Sequence, residues 1–486
     1  MSSGAVALTT IGAIVALGAA IGFLAAVRRK MDLEQWTVGG RGFGAVLVYL
    51  LMAGEVYTTF SFLGASGWAY SRGGPALYIL AYLSLAYVVS FFILPQLWEA
   101  GRTYGMQTQS DFFSIRYGNK WLAAFVCVVG IAFLIPYLQL QLTGLGIIVS
   151  IASFGGIGRT PAMTISVILL AGFVLAGGVR AVAWVSVLKD VLMVLAAVSI
   201  GIGIPYLRYG GIGAMFTALT RARPAHLTMP GATPNLGHTW YISTVLLTSL
   251  GFYMWPHTFG ATFTAKSGDI LRRNAVAMPL YTITLVFVFF VGFAAVLAEP
   301  GLRNGDLALL TLVRESFPAW FLGAIGGAGA LTAMAPAAIF VLTAATLFAK
   351  NLCRPVFAPG MTDAQVAKVA RAAVVALSSI SLYLAIHSST TLVSLLLLGY
   401  AGVTQFFPGV VLGLYWKRAS MAGVFAGMTV GVATVAFLIL TGRDPWFGWS
   451  AGFAALCLNF LITVAVSLLT PAAEPRLAAA DRNRRR

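Results

Sequence analysis

The chain has 486 residues, of which 59% are hydrophobic and only 9% charged, and its net charge is +17. Soluble domains carry roughly 25% charged residues, so a water-covered globule is excluded. The basic excess sits in short clusters between apolar runs, the pattern of a membrane topology signal rather than a nucleic-acid surface.

Taken in chain order, apolar runs of roughly 20 residues recur along nearly the whole sequence, each able to cross a bilayer. The first, 5–27, is too long for a signal-peptide core and lacks a basic lead, so it reads as a retained helix. Twelve more follow, at 44–66, 75–98, 121–153, 161–178, 181–206, 239–259, 273–298, 317–347, 367–388, 391–416, 419–441 and 445–469. Backbone polar groups in lipid must be satisfied within the segment, so all thirteen spans are expected to be helices. The longest polar stretch, 208–238, leaves no room for a soluble domain. Cys127, Cys353 and Cys457 are widely spaced and give no reason to expect a disulfide framework or a metal cluster. With the N-terminus outside, cytoplasmic segments hold 22 of the 31 Lys and Arg and outer segments 8, with Lys189 inside a span. That bias predicts an inner-membrane protein with an odd helix count and a cytoplasmic C-terminus.

Three spans are interrupted by Gly and Pro. The second holds Gly54 beside Glu55, then Gly64, with Gly67 beyond its end. The seventh holds Gly251 and Pro256, with Gly260 beyond. The ninth holds Gly323, Gly326, Gly327, Gly329 and Pro336. Small residues let helices pack closely. Alternatively, interrupted helices at matching places in two halves frame a midplane binding site. The second and seventh spans are five apart, as starts of two five-helix halves would be.

Four motifs then appear in order: Trp36-Thr-Val-Gly-Gly-Arg41, Asp111-Phe-Phe-Ser-Ile-Arg-Tyr-Gly118, Gly177-Gly-Val-Arg-Ala-Val-Ala-Trp184, and Gly413-Leu-Tyr-Trp-Lys-Arg418 followed by Ala422-Gly423 and Ala426-Gly427. With these the chain resembles the sodium:solute symporter family over essentially its whole length. Gly54-Glu-Val-Tyr-Thr-Thr-Phe60, Trp255-Pro-His-Thr258, Ser267-Gly-Asp269 and Arg272-Arg-Asn-Ala275 make it most similar to the monocarboxylate-permease branch. The resemblance implies an all-α membrane protein of about 13 helices with a LeuT-type 5+5 inverted-repeat core. It divides the chain into an extra helix and lead-in at 1–43, a first half at 44–206, an outer loop at 207–238, a second half at 239–416, and peripheral helices with a basic tail at 417–486. It also implies uptake driven by a cation gradient.

Ionisable groups at membrane depth are expensive, so each is a functional candidate. Glu55 lies midway along the second span and is expected either to carry a proton, to face a cation, or to bond a freed backbone group. Lys189 and Asp190 lie roughly 13 Å past Arg180 in the sixth span. As neighbours on a helix they point about 100° apart and need not pair. His257 follows Pro256 and is expected to bond a carboxylate substrate or to pack at the break. His226, His238 and His387 are expected in outer loops without a role.

The ion site departs from the family pattern. The resemblance places its two hydroxyls at Thr332 and Ala333 and its carbonyls at Gly54, Tyr57 and Gly329, so one hydroxyl is missing. The acidic residue often found in the sixth span falls at Ser186, and Lys189 stands where glutamine is frequent. Sodium, a hard cation, wants several oxygens. The Lys189 ammonium is therefore expected to fill the emptied volume and bond Thr332 and the free carbonyls. Sodium or proton coupling both remain open at this point. Tyr57, Thr58, Thr59, Tyr253, Trp255, His257 and Thr258 offer aromatics and donors suited to a small anion such as lactate, pyruvate or acetate, or to a small amino acid. No nucleophile–base pair or nucleotide motif supports an enzyme. The remaining alternative is a sodium-independent facilitator or a transport-like sensor. The expected partners are a small solute, a coupling ion and the bilayer, with no nucleic acid.

Overall fold

A computed structural model describes residues 2–26 and 38–473, with the side chains of 25, 26, 169, 172, 173 and 175–180 outside that description. Trp36, the 28–30 basic cluster and the 476–486 tail therefore lie outside the described residues. What is described is helical, with two isolated β-bridges and no strand. Ten helical runs are long and apolar enough to cross a membrane. The second and seventh spans, each split in two, and the first part of the run Arg159–Tyr209 complete thirteen.

The second span is helical over Ala45–Gly54, leaves the helix over 55–58, and resumes through Phe60–Gly64 to Ala65–Ser71. An opened backbone in the bilayer needs donors and acceptors from elsewhere. Ser61 supplies several: its Oγ accepts the Thr58 N–H at 2.9 Å and donates to the Val56 carbonyl at 2.6 Å. The seventh span behaves alike. His238–Gly251 gives way to a tight turn at Phe252–Met254, Trp255 is extended, and Pro256 restarts the helix. Proline suits that first helical position because its missing N–H would have had no partner there. The Thr258 hydroxyl reaches back to the Phe252 and Trp255 carbonyls, and Gln109 Nε2 donates to the Met254 carbonyl at 2.7 Å.

The ninth span differs from the expectation. Ala319–Thr346 is continuous helix through Pro336 and runs on to Phe357. Its glycines are packing surfaces. A methyl on Gly323 would sit 2.7 Å from the Ala7 carbonyl oxygen, and one on Gly327 2.7 Å from Ile14 of the first span. Another difference lies between the fifth and sixth spans, where the backbone stays helical with no intervening loop. No proline occurs there, and Gly177 and Gly178, the residue type that most readily lets a helix change direction, mark the place. Fifty-one residues of straight helix would reach roughly 77 Å. The start of this run packs on Gly146, near the end of the fourth span, and its far end bonds Ser316 and Ala294. Both contacts lie on one face, so the run crosses twice.

We call that face, which also carries the start of the first span, the N-terminal face. The opposite, C-terminal face holds the short helix Gln109–Tyr117, opened by a Thr108–Asp111 capping box. Two of the motifs meet here: Arg116 donates to the Gly413 carbonyl at 2.7 Å and Tyr117 to the Gly409 carbonyl at 2.6 Å. Asp111 also binds Lys350 and Asn351, each at 2.8 Å, tying this helix to the end of the ninth span. Burial pushes the Asp111 carboxyl up. The Lys350 charge, with hydrogen bonds from Gln107 and Asn351, outweighs that and holds it below the usual carboxylate value.

Candidate functional site

The two interrupted helices meet at mid-depth, and the break in each places an ionisable residue. Glu55 follows the last helical residue of one half, and His257 is the second residue of another. Their side chains face each other, Glu55 Oε2 to His257 Nε2 at 3.1 Å, both almost fully buried. The imidazole is wrapped by rings, with centroids 4.3 Å from Phe340, 5.8 Å from Tyr137 and 5.8 Å from Trp255. Its Nδ1 is buried with no hydrogen-bond partner.

Lys189 reaches the same break from the sixth span. Its Nζ donates to the Gly54 carbonyl at 2.6 Å and the Tyr57 carbonyl at 3.0 Å, and it is wholly buried. These are two of the carbonyls that the helix loses when it opens, so the ammonium satisfies what the break leaves bare. Asp190 lies 3.1 Å from the same nitrogen. The two neighbours on the helix do pair, because the long lysine chain curls toward the carboxylate. Gly54 is needed for this approach, since a methyl there would stand 3.2 Å from Nζ and 3.1 Å from Ser186 Oγ.

The ninth span contributes less than expected. Thr332 donates to its own Ala328 carbonyl at 2.8 Å and shares no hydrogen bond with Lys189. A hydroxyl in a helix interior readily bonds the preceding turn. Ala333 is buried and apolar, and Gly329 packs against Ile148 and Phe62. Two carbonyls of the expected ion site are thus taken by an ammonium, and the helix-nine side offers that ammonium no oxygen.

The other candidates divide. Trp255 packs tilted against Tyr137, centroids 4.8 Å apart, and edge-to-face against Tyr400, at 5.3 Å. Thr59 donates to Gln141 Oε1 at 2.7 Å. Thr58 turns back on the break, where its hydroxyl accepts the Phe60 N–H at 3.3 Å, and Thr258 is likewise committed to its own broken turn. Tyr57 points its ring at Tyr281 and its hydroxyl at Thr284 of the eighth span, and Tyr253 packs on Phe252. Tyr137 and Gln141 of the fourth span were missed in the sequence. Their signal was a stretch of polar side chains, Tyr137, Gln139, Gln141 and Thr143, just past Pro136 in a mostly apolar helix. Gln141 Nε2 and Trp255 Nε1 are buried side-chain donors without a partner. His257 also lines a small cavity of about 30 Å³, bordered by Thr343, Thr346, Gln107 and Thr108 toward the C-terminal face. Among the described residues no cluster of His, Cys, Asp and Glu is suited to hold a metal, and the three cysteines are free.

Paired discontinuous helices with buried charges at their breaks, in a thirteen-span bundle, define a secondary transporter of the LeuT-type fold. The profile described as the Sodium:solute symporter family matches residues 36–431, and the chain belongs to that family. It is 45% identical to an uncharacterised symporter, YhjB, of Bacillus subtilis, with 98% of this chain and 99% of the relative covered. It is 29% identical to a monocarboxylate transport permease protein of Rhizobium johnstonii, covering 94% and 95%. Among solved structures, a Na+-coupled sialic acid symporter in a substrate-bound outward-open state superposes with a TM-score of 0.80 at 18% identity, covering 96% of this chain and 98% of that one. Family membership implies cation-coupled symport of a solute, with sodium as the ion the family name specifies.

Proposed function

We propose that this symporter carries a small monocarboxylate, such as lactate, pyruvate or acetate, together with a proton. In this reading Lys189 is a fixed ammonium standing where other members place sodium. The chain lies in the inner membrane with its N-terminal face outside, and 44–206 and 239–416 form the two inverted halves. The observation that carries the ion assignment is the pair of short bonds from Lys189 Nζ to the Gly54 and Tyr57 carbonyls. A metal ion there would have to displace a buried ammonium that already has acceptors on three sides.

Charge balance supports the proton. Lys189 and Asp190 offset each other, and in this reading the imidazolium form of His257 offsets the Glu55 beside it. A carboxylate entering this neutral cluster brings an uncompensated charge into low dielectric, which is strongly unfavourable. The balance is restored when Glu55 takes up one proton. The neutral acid then releases His257, and the imidazolium pairs with the substrate. Release past His257 toward the C-terminal face returns the proton and the anion together. The monocarboxylate class also draws on the likeness to the Rhizobium permease, and on the buried donors of Gln141 and Trp255.

The test is accumulation of labelled lactate or pyruvate by purified protein in vesicles under imposed gradients. An inward proton gradient is expected to drive accumulation, and a sodium gradient at equal pH is not. Accumulation that follows sodium alone would overturn the proton reading. Absence of any monocarboxylate uptake or exchange would overturn the substrate class.

A further inference from the structure

The N-terminal face holds a buried carboxyl that the central site does not use. Asp306 lies in the turn before the helix Ala308–Ser316 and is 1% exposed. Its Oδ2 accepts the N–H of Leu392, the first residue of the eleventh span, at 3.0 Å. Across from it runs the outer half of the broken second span. A methyl on Gly67 would stand 2.8 Å from the Asp306 nitrogen and 2.9 Å from Oδ1. The same half-helix is gripped by His226, whose Nε2 lies 3.0 Å from the Ala69 carbonyl and 2.9 Å from that of Tyr70. One turn deeper, Gly64 packs on Val393. Asp306 thus sits on the seam between the second and eleventh spans. Parting this seam would expose the outer half of the second span, which leads to the helix break at Glu55.

We propose that Asp306 is a second proton-binding site, one that governs closure of this face: the neutral acid favours the sealed seam and the carboxylate favours its opening. The proposal rests on the orientation and the proton-driven reading given above. Its physical basis is that a buried carboxylate is costly, whereas the neutral acid is not. Burial raises the carboxyl to about 6, against the opposing pull of the Leu392 N–H and the Arg159 guanidinium. Arg159, at the start of the fifth span, is the charged group facing it. The second span presents Gly67 and Ser71, the eleventh the Leu392 N–H, and its own turn Asn304. Parting the seam would solvate the carboxyl and return it toward the ordinary 3.8. The sealed form therefore holds the proton more tightly. Acid outside stabilises closure, and that effect fades as pH rises through about 6.

The experiment uses the full chain with Cys127, Cys353 and Cys457 replaced by serine, and Val393→Cys as a reporter buried in the seam. Modification by a membrane-impermeant thiol reagent from the N-terminal face is measured at about pH 7.5 and about pH 5. Each rate is normalised to that of the detergent-unfolded protein. With Asp306 in place, labelling is expected to fall several-fold on acidification. With Asp306→Asn, which mimics the neutral acid, it is expected to be low at both values. An unchanged rate across pH with Asp306 present would overturn the proposal. So would an Asp306→Asn protein that labels faster than its parent at pH 7.5, since the charge would then be holding the seam shut. The labelling needs no substrate, so a failed monocarboxylate assignment is distinguishable from failure of this gate.

Discussion

In the second span Gly54 is the last helical residue before an open stretch of backbone, whereas in the ninth Gly323, Gly326 and Gly327 stand in unbroken helix. The residue type is the same and the outcome opposite. What differs is the surroundings. Around Gly54 stand groups able to satisfy a freed backbone: the Lys189 ammonium and the Ser61 hydroxyl. Around the ninth-span glycines stand Ala7, Thr10, Ile11 and Ile14, which offer close contact, and the one hydroxyl among them, that of Thr10, is committed to the Val6 carbonyl of its own helix. Glycine permits a break in a membrane helix, but polar neighbours decide whether one forms. Variants on the two glycine stretches should therefore fail in different ways.

The largest effect is expected at Lys189. Lys189→Ala strands two carbonyls and leaves Asp190 as an unpaired buried charge. Removing one member of such a pair typically costs about 3–5 kcal/mol. Gradient-driven accumulation should be abolished and thermal unfolding should shift down markedly, while some exchange persists in the protein that folds. Accumulation and ion dependence like the parent's would remove the lysine from the coupling mechanism.

Next comes Glu55→Gln, which keeps the shape and fixes the neutral form. Exchange of labelled lactate across vesicles at equal concentration should survive, and its pH profile should flatten. Accumulation against a gradient should be lost. An unaltered pH profile would assign Glu55 a structural role at the break.

A smaller effect is expected from Gly54→Ala. The added methyl meets Ser186 Oγ at 3.1 Å and Lys189 Nζ at 3.2 Å, both movable side-chain atoms. Alanine also favours helix by about 1 kcal/mol, so global stability should change little. Transport should drop about tenfold, equivalent to about 1.4 kcal/mol, because the ammonium is pushed off its carbonyls. A loss of stability with transport per folded molecule intact would show that Gly54 is only a packing residue.

Much of this was legible before any coordinates. Apolar runs of bilayer length gave the spans, since the membrane forces a uniform solution on the backbone. Both helix breaks were marked by Gly or Pro beside an ionisable residue, and the family resemblance, by placing ion-site carbonyls at Gly54 and Tyr57 and Lys189 where glutamine is frequent, pointed to the lysine bonding those carbonyls. Several features were not legible. That Glu55 and His257 pair depends on how two distant segments cross. That Thr332 turns to Ala328 rather than to Lys189 depends on a rotamer choice inside one helix. Asp306 and His226 read as loop residues because their burial comes from the ends of the second and eleventh spans folding over them. Periodicity carries no information about such contacts.

Gly323→Ala is the prediction with the smallest expected effect on transport, and it completes the contrast. Its methyl would meet the Ala7 carbonyl oxygen at 2.7 Å. That neighbour is backbone and cannot rotate away, so the first span must shift outward as a body. Overpacking of this kind costs about 1–3 kcal/mol. The first span packs on the ninth, on the run Arg159–Tyr209 and on the fourth-span end near Ser153, and among the described residues it makes no side-chain contact with the Glu55–His257 pair. Thermal stability in detergent should therefore fall while uptake per folded molecule stays as in the parent. Gly327→Ala should do the same more weakly, because its methyl meets the flexible end of Ile14. If either variant altered the pH or ion dependence of uptake, the ninth-span glycines would belong to the moving machinery, and the division between a breaking glycine and a packing glycine would not hold.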